Sequence, residues 1–114
     1  MKLYSYPQCS TCRKAIQWLK EQGLDPTPID ITLHPPSVEE LALALDQLGR
    51  KRLFNTSGQS YRALGSAAVQ ALDDVQVLLA LAADGKLIKR PFLITDQQQV
   101  LTGFKLEEWQ TLLG

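Results

Sequence analysis

The chain has 114 residues and a mass of 12.7 kDa, and its 12 basic and 12 acidic side chains leave no net charge at neutral pH. That length suits one domain with its own core, and the absence of net charge removes the field that drives direct nucleic-acid binding. No apolar run approaches the ~20 residues of a membrane span, and MKLYSYP lacks the apolar stretch of a signal peptide, so a cytoplasmic protein is expected.

Lys2 to Tyr6 reads as a short strand stopped by Pro7. Ser10 or Thr11 is the expected cap of a first helix that runs to about Gln22 and ends at Gly23. Cys12, Ala15, Ile16 and Leu19 form its apolar stripe, while Cys9 lies ahead of the first turn and off that stripe. PTPIDIT (26–32) reads as a second strand with Ile29 and Ile31 on one face. Ser37 and Glu40 have the spacing of a capping box, opening a helix with Leu41, Leu45 and Leu48 on its apolar side and Gly49 at its end.

From Arg50 to Gly85 the pattern is helical with breaks at NTSGQS and LGS, and Val75, Leu78, Leu79, Leu81 and Ala82 form the last expected apolar face. FLIT, a DQQQ turn and VLTGF make a hairpin, and a final helix runs from Lys105 through Trp109 to Leu113. The order β-α-β, several helices, then β-β-α suits an α/β sandwich of thioredoxin-like type: one domain, 1–114, with a helical insertion at about 37–85.

Both cysteines of the chain lie in YPQCSTCRKA. At a helix start, unpaired amides and the positive end of the helix dipole favour thiolate over thiol; Arg13 and Lys14 add positive charge nearby. A spacing of three residues brings the two sulfurs within bonding reach, so Cys9 is the expected nucleophile and Cys12 the resolving or regulatory thiol. Zinc needs about four ligands, and two cysteines with His34 do not complete a set, so no metal site is expected. A role as core filler fits Cys12 but not Cys9, and chance spacing is the remaining alternative.

Lys89-Arg90-Pro91 is a second constellation, with Arg90 either beside an oxyanion or thiolate or simply solvated. His34 is expected in a surface loop, and Trp18 and Trp109 in helix packing.

The stretches YPQCSTCRKA, HPPSVEEL, YRALG, KLIKRPFLIT and VLTGF resemble the arsenate reductase (ArsC)/Spx family of thioredoxin-like proteins along nearly the whole chain. The resemblance implies that Pro91 is a cis-proline facing the site, that Cys9 attacks arsenate, and that Arg13 and Arg90 contact the oxyanion. It also implies no bound cofactor, with glutathione and glutaredoxin, or thioredoxin, as reductant. Three positions depart from the reductase pattern: Asn55 and Gly103-Phe104 stand where reductases carry arginines, and Ser5 where several carry histidine.

The Cys-x-x-Cys pair and the GF after the last strand resemble the Spx branch, whose members use the pair as a redox switch while docking on the RNA polymerase α subunit. Gly49 roughly matches the glycine of that docking surface, although the charged C-terminal extension of the best-known Spx proteins has no counterpart in the chain. Two functions are therefore expected: a thiol-dependent reductase, slightly favoured, and a redox-sensing regulator.

Overall fold

The computed structural model describes residues 1–114. In chain order it contains β1 (Lys2–Ser5), α1 (Ser10–Glu21), β2 (Pro28–Asp30), α2 (Val38–Leu48), α3 (Gln59–Leu64), α4 (Ser66–Gln70), α5 (Asp74–Ala83), β3 (Phe92–Ile94), β4 (Val100–Thr102) and α6 (Leu106–Leu113), with 3₁₀ turns at Arg50–Arg52 and Gly85–Leu87. The four strands form one sheet in the order β2-β1-β3-β4. β1 pairs in parallel with β2 and antiparallel with β3, with Leu3 opposite Leu93, and β3 pairs antiparallel with β4.

The period-2 alternation of the strands divides the core. Leu3, Leu93 and Leu101 face one way and pack with Ala15, Leu19 and Trp109 of α1 and α6. Tyr4, Phe92, Ile94 and Val100 face the other way, against Leu41, Ala44, Val77 and Leu81 of the insertion. The result is the expected thioredoxin-like sandwich with helices on both faces. No helix is long and apolar enough to cross a membrane.

Most local expectations match. α1 buries Cys12, Ala15 and Leu19, and α2 starts with the Ser37–Glu40 capping box. Glu40 does more than cap: it also accepts hydrogen bonds from Tyr4 Oη (2.7 Å) and Lys2 Nζ (3.1 Å), fastening α2 to the sheet. Trp109 is fully buried and donates Nε1–H to the Gly103 carbonyl at 3.0 Å, with Trp18 edge-on against it, so both tryptophans pack. His34 is exposed in its loop.

Three expectations are corrected. The cap of α1 is Cys9, not Ser10 or Thr11: its extended backbone (φ −91°, ψ 114°) starts the helix one residue earlier, and its sulfur takes the capping role. β2 is shorter than PTPIDIT, because Asp30 accepts hydrogen bonds from the Thr32 amide (2.9 Å) and hydroxyl (2.6 Å) and turns the chain out of the ladder. On α5 the buried side chains are Val77 and Leu81, while Val75 is 65% and Leu79 57% exposed. Asp73 caps that helix in a box with Gln76, and starting there sets a phase that turns Val75 and Leu79 to solvent.

Candidate active site

Cys9 sits at the N-cap of α1, where the chain leaves β1 and turns at Pro7. Its amide donates to the Tyr6 carbonyl (3.0 Å) and its carbonyl accepts from the Arg13 amide (3.1 Å), which fixes the backbone on both sides of the sulfur. The Cys12 amide donates to Cys9 Sγ at 3.2 Å. The Ser10 and Thr11 amides have no partner within the helix, so the sulfur lies at the positive end of the helix dipole. Cys9 is partly exposed and Cys12 buried, and both are free thiols.

Burial pushes the Cys12 thiol up to about 12 from its ordinary value of 9.0, with a hydrogen bond to the Cys9 side chain acting in the same direction. The pair is thus asymmetric in access: a partly exposed sulfur at a helix start, and behind it a buried thiol that keeps its proton at neutral pH. A measurable consequence concerns stability. The unfolded chain releases this proton near pH 9.0 and the folded chain only near 12, so the thiol's contribution is intact below about pH 9 and is lost as the pH rises toward 12. Denaturation midpoints at about pH 8 and about pH 10.5 are expected to show that loss, and Cys12→Ala to flatten it.

Cys9 opens on a cavity of about 670 Å³. Its lining brings together the start of α1, the loop after Phe54 and the segments on either side of β3 and β4, and it includes Lys89, Arg90 and Lys105 but no carboxylate. Arg90 lies with its guanidinium carbon 4.9 Å from the centre of the Tyr6 ring, and its Nη1 is buried without a hydrogen-bond partner. The Arg90–Pro91 peptide bond is cis, and Pro91 is buried at the entrance to β3 with its carbonyl accepting from the Gly103 amide (3.0 Å).

The expected site residues separate at this point. Cys9, Cys12 and Arg90 come together, since the Arg90 charge reaches the Cys12 sulfur as well. Arg13 lies on the outer side of the loop, is exposed, and donates Nη1–H to the Pro7 carbonyl at 3.0 Å; it is not among the cavity-lining residues. Asn55 and Gly103, the positions without the reductase arginines, both line the cavity.

Lys89 and Lys105 are the residues that sequence reasoning missed as cavity cations. The signal for Lys89 was its place beside Arg90; Lys105 carried none, because it stands at the start of α6 and reads as part of that helix. Gly103 explains how Lys89 reaches the cavity. A Cβ built there would stand 3.0 Å from Lys89 Cε, and its φ of +67° suits glycine, so the lysine stem runs over space a side chain at 103 would take.

The arrangement offers an accessible sulfur, a second thiol behind it, and cationic side chains in a hollow whose lining holds no carboxylate. Such a hollow accepts anions. No three His, Cys, Asp or Glu side chains converge as a metal set would require.

Comparisons with known proteins agree with this fold. The pattern defining the ArsC family matches residues 4–112. The uncharacterized protein YusI of Bacillus subtilis is 42% identical over 113 residues, covering 96% of the chain and 95% of that protein. The global transcriptional regulator Spx of Enterococcus faecalis is 30% identical over 118 residues, covering 99% of the chain and 86% of the regulator. The structure of an arsenate reductase from Vibrio cholerae superposes with a TM-score of 0.82 at 30% identity, covering 98% of the chain and 96% of that enzyme.

Proposed function

Because the chain belongs to the ArsC family, we propose that it is a thiol-dependent reductase of an anionic substrate, arsenate or a glutathione-linked disulfide, with glutathione and glutaredoxin restoring its dithiol. The observation that carries this reading is the accessible Cys9 sulfur at the start of α1, opening on a cavity with Lys89, Arg90 and Lys105 and no carboxylate.

With a disulfide substrate, the Cys9 thiolate attacks one sulfur; a Cys9–substrate disulfide forms and the other half leaves as a thiolate that takes up a proton. Cys12 then attacks Cys9, its proton passing to the departing thiolate, and the Cys9–Cys12 disulfide forms. Two glutathione thiols return the pair to its dithiol and leave as glutathione disulfide. With arsenate, two thiols become one disulfide, arsenate becomes arsenite and one oxygen leaves as water. Each charge-assisted contact that Arg90 or a lysine makes to the anion is worth roughly 1.5–3 kcal/mol, so two lysines offset in part the arginines missing at 55 and 103.

The test is NADPH consumption by the pure protein with glutathione, glutaredoxin and glutathione reductase, given arsenate in one series and the mixed disulfide of cysteine and glutathione in another. Turnover above Cys9→Ser with either substrate is expected. None above Cys9→Ser with both would overturn the reductase reading.

A second reading is favoured by the Spx relative, whose match covers 99% of the chain: a regulator in which the Cys9–Cys12 disulfide alters the start of α1 and a face that binds RNA polymerase through its α subunit. It predicts that the C-terminal domain of α is retained by one oxidation state and not the other; equal or absent binding in both states ends it.

A further inference from the structure

Tyr6 stands beside both cysteines and Arg90 from one position. Its carbonyl accepts the Cys9 amide at 3.0 Å. Its backbone acts on the Cys12 sulfur in the direction that favours the thiolate, against the larger effect of burial. Its ring, half-buried and lining the cavity, carries the Arg90 guanidinium at 4.9 Å. The first two contacts belong to the backbone and any residue would supply them; only the third depends on the side chain.

Arg90 needs such a support. A partly buried guanidinium is normally fixed by a carboxylate or by carbonyls that take up its donors. No carboxylate lines this cavity, Arg90 has no ion-pair partner, and its Nη1 is buried with no acceptor. An aromatic face attracts the guanidinium without consuming an N–H edge, since the cation sits over the ring and its donors point outward in the guanidinium plane. A carboxylate in Tyr6's place would hold the arginine more tightly but would use up the donors and cancel the charge that the cavity offers.

We infer that Tyr6 is a positioning residue of this site, whose ring holds Arg90 over the cavity with its donor edge free for an anionic group of the molecule that reacts at Cys9. The inference rests on the reading of this cavity as the reaction site. The Tyr6 hydroxyl plays little part: its one contact, to Gln8 Oε1, is long at 3.4 Å. Phenylalanine therefore serves in its place, whereas an apolar side chain of similar reach without a ring does not.

The experiment compares the alkylation rate of Cys9 by iodoacetate, an anion, with that by iodoacetamide, its neutral counterpart. The ratio reads the cationic field at the sulfur, needs no natural substrate, and cancels changes in the general accessibility of the thiol. Tyr6→Met is expected to lower the ratio about fivefold or more, toward the value of Arg90→Gln. Tyr6→Phe is expected to keep the wild-type ratio, and the Tyr6→Met/Arg90→Gln double variant to match Arg90→Gln alone. A wild-type ratio in Tyr6→Met, a fall in Tyr6→Phe as large as in Tyr6→Met, no effect of Arg90→Gln, or multiplying effects in the double variant would each overturn the inference. Should Tyr6→Met fail to fold, Tyr6→Leu gives the same readout. Failure of the reductase reading shows separately, as absent turnover in a wild-type protein whose alkylation ratio still responds to the ring.

Discussion

Cys9→Ser is expected to lower turnover by about 10³-fold or more, and Cys12→Ser by only about tenfold. The difference follows from where the two sulfurs lie. Cys9 caps α1, is partly exposed and faces the cavity, and no other accessible thiol exists to replace it. A serine hydroxyl at that position would still cap the helix, so the fold should survive while the nucleophile is lost. Cys12 is fully buried with its thiol pushed up to about 12, so on the proposed mechanism it should act only once a disulfide to Cys9 gives it an electrophile at close range. Glutathione can reach a Cys9 adduct from the cavity side and resolve it in Cys12's absence, at the slower rate of a bimolecular step. Steady-state rates of the two variants under identical coupling enzymes measure the gap. Equal losses would mean that the internal disulfide is obligatory.

The largest expected stability effect comes from a glycine remote from the sulfurs. Gly85 is buried where α5 gives way to the turn before β3, and a Cβ there would stand 1.8 Å from the Ile31 carbonyl oxygen and 2.6 Å from its carbon. These are backbone atoms just past the end of β2, held in place by the Ile31 amide donating to the Ser5 carbonyl at 2.9 Å. No side-chain rotation relieves the contact, so one of the two segments must move. Gly85→Ala is expected to cost about 3 kcal/mol or more, a large share of the roughly 5–15 kcal/mol that holds a domain of this size. Thermal unfolding should fall by on the order of 10 °C or more. Because the same segment continues through Lys89 and Arg90, the variant's folded fraction should also show weaker discrimination between anionic and neutral reagents at Cys9. An unchanged melting temperature would mean that the approach of Gly85 to Ile31 is looser than described.

The sulfur pair, the halves of the sheet and the capping box were legible because each rests on local chemistry: a three-residue cysteine spacing, short apolar runs on either side of DQQQ, and a serine three residues before a glutamate. The phase of α5 was not legible. VQVLLALAA is apolar on nearly every side, so its periodicity does not select a face, and the Asp73 cap and the packing against α2 do so instead. Cys9 as its own helix cap was hidden for another reason: Ser10 and Thr11 are better capping residues by type, and only the turn at Pro7 decides which one starts the helix.

The cationic cavity was half legible. Arg90 stood beside a proline before an apolar strand, but Lys105 lies fifteen residues further along the numbering, past the hairpin, and comes to the same hollow only because β4 pairs with β3. Tyr6 read as a strand residue with an aromatic side chain suited to a pleated surface. Its contact with Arg90 joins two segments brought together by the antiparallel β1–β3 pairing, which no local pattern announces.

The central claim, that Cys9 attacks and Cys12 resolves, is tested most directly by intact-mass measurement after brief exposure of the reduced protein to glutathione disulfide. Cys12→Ser should carry one glutathione, mapped to Cys9, while the wild-type protein should carry none and instead have lost two hydrogens in forming the Cys9–Cys12 disulfide. A stable glutathione adduct on the wild-type protein, or an adduct on Cys12 in Cys9→Ser, would contradict it.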